Sequence, residues 1–134
     1  MSERKTIVVR EVMKNAFDMV NGMATVAEAL QQMGHVETKC LIVEKRHEHD
    51  EYGLVMLSDI SKKVLAKDRA PQRVNIYEIM TKPVITVHPE MDIRYCARLF
   101  ERFGISRAPV LENRQVIGIV SHTDMVLRGL VKLL

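Results

Sequence analysis

The residues with the clearest capacity for chemistry close the run "GIVSHTD", Gly118 to Asp124. Apolar residues lead straight into a hydroxyl, an imidazole, a second hydroxyl and a carboxylate. An ionised aspartate is acceptor-only and offers two oxygens, so Asp124 suits a pair of neighbouring hydroxyls. His122 could reach an anion and make its binding sensitive to pH, or stand exposed at a helix start. Ser121 or Thr123 would equally serve as the cap of a helix, with Asp124 in its first turn. A helix cap explains part of the pattern and a sugar-binding edge explains more.

The elements that must position these residues follow from an internal repeat. "TIVVREVM" (Thr6 to Met13) parallels "RVNIYEIM" (Arg73 to Met80), an offset of 67. "TVAEALQQM" from Thr25 then lies over "DIRYCARLF" from Asp92. "CLIVE" from Cys40 falls over "APVLE" from Ala108, and "GLVMLSD" from Gly53 over "GIVSHTD". Several blocks in the same order indicate duplication. Each copy begins with an extended entry, because Pro83 and Pro89 exclude helix from "MTKPVITVHPE" and β-branched residues lie between them.

An amphipathic helix follows. Ile93, Cys96, Ala97 and Phe100 recur at helical spacing behind a capping Asp92, and Val26, Ala29, Leu30 and Met33 behind Thr25, with Gly34 as the stop. Two short strands, 108–111 and 116–120 in the second copy, are joined by the polar turn 112–115. A last helix starts near Thr123, and in the first copy near Ser58; Pro71 forbids its continuation. The fold class is therefore α+β: short strand, helix, β-hairpin, helix, twice. Residues 6–67 form the first repeat, 68–72 a linker and 73–134 the second. A sheet this small is a marginal core alone, so the two copies are expected to pack by pseudo-two-fold symmetry into one module. The apolar C-terminal run, with Met125, Val126, Leu130, Val131 and Leu134, reads either as core or as a dimer interface.

The bulk composition narrows the function classes. The chain has 134 residues, 47% hydrophobic and 28% charged, with a net charge of +3. That charge is too diffuse to argue for nucleic acid, and the few aromatics make no stacking platform. No apolar run approaches a membrane span, and the start Met1–Lys5 leads into a run too short for a secretory leader, so a cytoplasmic protein is expected. Cys40 and Cys96 lack metal spacing and read as buried small hydrophobes. "HEHDE" (His47 to Glu51) lacks the paired-histidine spacing of a zinc helix and reads as a solvated loop. Arg94, Arg98 and Arg102 form a basic stripe, a solvated face or a site for an acidic partner. No phosphate-binding glycine loop, dinucleotide fingerprint or nucleophile elbow is present, so catalysis is not expected.

The duplication, with "IMTKPVITVHPE", "GISRAPVLE" and "GIVSHTD" in the second copy, resembles a tandem pair of CBS domains, a Bateman module, over essentially the whole chain. The resemblance implies a non-catalytic regulatory module that requires no cofactor and binds an adenosine nucleotide (AMP, ADP or ATP) or S-adenosylmethionine. It implies a homodimer acting on an effector protein not identified by the sequence. Residue by residue, it implies that Asp124 grips the ribose diol and that Ser121 contacts ribose or phosphate. His122 and Thr123 begin a helix whose N–H groups face an anion. Val84 and Thr86 would line the pocket beside the base. Ser106, Arg107, Ala108 and Pro109 would supply backbone edges to adenine, with Arg107 adding charge near a phosphate.

The first copy departs from this pattern. Met56 stands for Ser121, Met19 for Thr86 and Leu41 for Pro109, while Asp59 is retained and Lys39 keeps the charge of Arg107. Methionine cannot donate to a phosphate. One competent site in the second repeat and one degraded site at Asp59 and Lys39 are expected. The alternative is a ligand-free interaction module, an adaptor, in which Ser58 and Asp59 merely cap a helix.

Overall fold

The computed structural model describes residues 5–134; Met1–Arg4, most of the basic start considered above, lie outside the described residues. The chain divides into two compact units. Unit 1 joins the segment ending at Ala16 to Ile85–Leu134, and unit 2 is Phe17–Val84. These differ from 6–67 and 73–134, because each repeat gives its entry segment to the unit built around the other.

Backbone hydrogen bonds show the exchange. In unit 1 the N–H groups of Val9 and Arg10 donate to Met91 and Pro89 at 2.9 and 2.8 Å. In unit 2 those of Ile76 and Tyr77 donate to Ala24 and Gly22, both at 2.9 Å. Both segments are single helical turns, α1 (Val9–Val12) and the 3₁₀ turn Ile76–Glu78. Their apolar residues enter the cores. Ile7, Val9 and Val12 pack among residues that include Phe100 and Val120, and Val74, Ile76 and Ile79 among residues that include Leu41 and Val55. Each such side chain contributes roughly 1.5–3 kcal/mol by leaving water.

Unit 2 carries a three-stranded sheet. β1 (Met19–Val20) pairs parallel with β2 (Cys40–Val43), which pairs antiparallel with β3 (Gly53–Met56). α2 (Val26–Gln32) begins as expected at Thr25, whose hydroxyl accepts the Glu28 N–H at 3.1 Å. It does not stop on a left-handed Gly34. Met33 closes it in extended conformation, and the N–H groups of Gly34 and His35 donate instead to the Asp18 carboxylate at 2.9 and 2.8 Å. α3 (Leu57–Ile60) follows β3 directly and widens into a π turn over Ser61–Leu65. Its cap is Met56 rather than Ser58. In the long hairpin loop Asp50 binds Lys82 at 2.8 Å and Arg46 at 3.1 Å, and these partners, Lys82 foremost, hold its carboxyl far below the ordinary range. The loop is thus stapled by a carboxylate, and the His47 ring accepts the His49 N–H.

Unit 1 repeats the plan with α4 (Ile93–Phe103), β4 (Arg107–Glu112), β5 (Gln115–Ser121) and α5 (His122–Leu127). Asp92 caps α4 through the Arg94 N–H, and Gly104, at φ 64°, ends it in the left-handed conformation glycine accepts without strain. Asn113 and Arg114, both at positive φ, form the two-residue hairpin turn. The extended entry makes only a single parallel bridge, Val87 to Val110, where β1 makes a two-residue strand.

Strand register corrects the alignment of the copies by one residue. Arg107 lies opposite Ser121 and Cys40 opposite Met56; Val87 pairs with Val110 and Val20 with Val43. Arg107 therefore corresponds to Cys40, Pro109 to Ile42, and Lys39 to Ser106. The carbonyls of Lys39 and Ser106 accept equivalent bonds, from Leu57 and His122. The charge of Arg107 has no counterpart in the first copy.

Both cysteines are buried, and burial pushes the Cys96 thiol up to about 11. At the C-terminus Met125 joins the core and Leu133 packs against it. Leu127, Leu130, Val131 and Leu134 stay exposed, so that run is only partly core.

Close approach of the exchanged segment depends on glycine. A Cβ at Gly118 would stand 2.6 Å from the Lys14 carbonyl oxygen and 2.7 Å from the Met13 sulfur. Gly118→Ala should therefore cost about 1–3 kcal/mol in denaturant unfolding, since backbone must move to admit the methyl. A variant as stable as the parent would show that the contact is slack. Because only the thiolate reacts, the raised Cys96 and the enclosed Cys40 should both resist a disulfide reagent at about pH 8 until the chain unfolds. Prompt labelling of the native protein would contradict that burial.

Candidate functional site

Asp124 sits at the third position of α5, directly after β5. Its Oδ2 accepts the Ser121 N–H at 3.1 Å and the Ser121 hydroxyl at 2.9 Å, and the same hydroxyl accepts the Asp124 N–H at 3.2 Å. This reciprocal pattern satisfies donors that a helix start leaves open. The capping reading of "SHTD" is thus met by Ser121, not by Thr123.

The other oxygen, Oδ1, is ion-paired with Lys14, a residue that sequence reasoning missed. Lys14 arrives on the exchanged entry segment, where its backbone trades two bonds with Ile119 at 2.8 and 2.9 Å. The Asp124 side chain is 3% exposed and that of Lys14 27%. A buried carboxylate needs such partners, because desolvation without them is expensive. The available signal was the contrast at offset 67, where Lys14 stands over Thr81.

The remaining predicted residues fall as follows. Arg107 is half-buried directly across the ladder from Ser121. The Ser106 carbonyl accepts the His122 N–H at 3.1 Å. Ala108 and Pro109 are buried, and the Pro109 carbonyl already accepts the Val87 N–H at 3.0 Å, which sets Thr86 beside this stretch. Thr123 is exposed; His122 is exposed as a residue while its ring meets Phe100 edge-on at 5.1 Å. The helix start is largely served by the chain itself, which corrects the expectation of N–H groups waiting for an anion. Val84 belongs to unit 2, where its N–H donates to the Tyr52 carbonyl at 3.2 Å.

The corresponding place in unit 2 is poorer in polar groups. Asp59 accepts the Met56 N–H at 2.9 Å, but Met56 replaces the capping hydroxyl and Thr81 the cation. Lys39 occupies a left-handed position that ends the turn Val36–Thr38. A cavity of about 450 Å³ opens in unit 2 beyond the C-terminal ends of β1 and β2, between Gly22, Val43, Tyr77 and Met80. No predicted site residue lines it. In the basic stripe Arg98 lies over Tyr95 and Arg102 over Phe103, while Arg94 donates to the Lys5 carbonyl at 3.2 Å and pairs with Asp92.

Among the described residues no helix is long and apolar enough to cross a membrane. The model of the CBS domain matches residues 76–129. A hexameric CBS-CP12 protein from bloom-forming cyanobacteria is 40% identical in sequence, with a TM-score of 0.87 over 92% of this chain and 71% of that one. The CBS domain pair of protein MJ0100, in complex with 5′-methylthioadenosine and S-adenosyl-L-methionine, is 25% identical, with a TM-score of 0.74 over 91% of this chain and 94% of that one. Protein MK0525 of Methanopyrus kandleri is 29% identical over 126 residues, which are 91% of this chain and 62% of that protein. The chain thus spans less than two thirds of that curated relative. The duplicated α+β plan, the strand registers and these likenesses agree: the chain belongs to the CBS domain family.

Proposed function

We propose that the chain is a non-catalytic regulatory module that binds an adenosine-type ligand at the second-repeat site. The observation that carries this reading is the convergence of Ser121, Asp124, Arg107 and Thr86 on neighbouring strand and helix ends of unit 1. Asp124 offers a ribose hydroxyl the acceptor Oδ1, where Lys14 now pairs with it. Arg107, opposite Ser121, supplies a guanidinium suited to a phosphate. Thr86 and Ser106–Pro109 form the wall for the base, and His122 and Thr123 the exposed rim. The ligands of the MJ0100 pair support the adenosine class. The site around Asp59 and Lys39 is a degraded counterpart, lacking the hydroxyl and the cation.

Binding acts on function by favouring one conformation over another, to the extent of its differential affinity. An effector protein reads that change from a homodimer, for which Leu127, Leu130, Val131 and Leu134 provide exposed apolar surface. A second reading, an adaptor without small ligand, is favoured by the same surface and by the saturation of Asp124 with partners from its own chain.

Thermal melting with AMP, ADP, ATP, 5′-methylthioadenosine and S-adenosylmethionine tests the proposal. A ligand at a hundred times its Kd should stabilise by about 2.7 kcal/mol, and Asp124→Asn should lose most of that shift. Asp124→Ala is the harsher variant. It leaves Lys14 and the Ser121 N–H without a partner and should cost about 2–4 kcal/mol before any ligand is added. No shift with any of these ligands would leave the adaptor reading standing alone.

A further inference from the structure

We infer that Lys14 sets the ligand class of the Asp124 site, selecting adenosine compounds with an anionic 5′-group over those whose 5′-group is neutral or cationic. The inference rests on the adenosine reading above and goes beyond it. Oδ2 of Asp124 is committed to Ser121, and Oδ1 is ion-paired with Lys14. With the carboxylate side chain 3% exposed, a ligand hydroxyl reaches Oδ1 only by taking the place of the ammonium.

The displaced charge then decides the outcome. Lys14 is only 27% exposed, so an ammonium stripped of its carboxylate loses more than a surface lysine would. The neighbouring Met13 carbonyl accepts a bond from Arg128 at 3.1 Å, and Arg107 faces Ser121 across the ladder. Arg107 and Arg128 thus add positive charge to the segments that carry Ser121 and Lys14. A ligand that occupies Asp124 must bring a negative charge of its own to restore the balance. The 5′-substituent of a ribose lies one furanose ring from its diol, within the sweep of a lysine's four-carbon stem. A 5′-phosphate there would replace the lost ion pair with a charge-assisted bond. A neutral thioether would leave Lys14 unpaired, and a sulfonium would add like charge.

AMP and 5′-methylthioadenosine differ only at this group, so calorimetric titration of both compares the two states directly. The native protein should prefer AMP by about tenfold or more, the scale of one charge-assisted bond. Lys14→Met should lose that preference by weakening AMP while leaving 5′-methylthioadenosine unchanged or tighter. Lys14→Arg should keep it. Melting curves without ligand establish that each variant is folded, and Lys14→Gln serves if the methionine variant is not. An unchanged ratio in Lys14→Met, or a native preference for 5′-methylthioadenosine, overturns the role of Lys14 alone. Failure of the native protein to bind either compound overturns the adenosine reading, and this inference with it.

Discussion

Two backbone hydrogen bonds between Lys14 and Ile119 hold the exchanged entry segment against the last strand of unit 1. They form because Gly118 lets the main chain come closer than any side chain would permit. Their consequence reaches in two directions. The turn before them delivers Val9 and Val12 to the core, and the side chain of Lys14 itself delivers an ammonium to Asp124. Unit 2 has the same bridge, Leu54 with Thr81, beside Gly53. The device is duplicated while its chemical cargo is not.

That asymmetry shows how a repeated fold can carry unequal sites. Backbone geometry is nearly position-for-position between the copies, down to the carbonyls of Lys39 and Ser106. Residue types then diverge where side chains meet the aspartate: Met56 for Ser121, Thr81 for Lys14, Cys40 for Arg107. Of the three replacements Cys40 is buried, Met56 half-buried and Thr81 exposed. Burying charge is costly, and unit 2 carries Met56, Thr81 and Cys40 at the same places.

Much of this was legible along the chain because the governing signals are local. The period of α4, the caps at Thr25 and Asp92 and the turn residues at 113 and 114 each act within a few positions. The repeat itself ordered the elements correctly. What escaped was set by distance in sequence. Lys14 and Asp124 are joined by the exchange of segments, and nothing local to either residue announces the other. The one-residue slip at Lys39 arose because apolar strands align about equally well in adjacent registers, and only the ladder partners decide between them. Gly34 misled for a different reason: the Asp18 carboxylate, sixteen residues away, already satisfies its N–H.

The two units also differ in how they are threaded. Unit 2 is one continuous stretch of chain, complete once Val84 has been made. Unit 1 is discontinuous, its opening strip separated from the rest by the whole of unit 2. During synthesis the apolar strip from Ile7 to Met13 emerges before unit 2, and its partners α4, β4 and β5 after it. For that interval Val9 and Val12 have no native surface to cover them, while unit 2 already has every residue of its core. Vectorial synthesis therefore favours unit 2 as the first unit to close, and the surroundings of Asp124 are completed after it. Asp124 acquires Lys14 only when the two stretches of unit 1 have met.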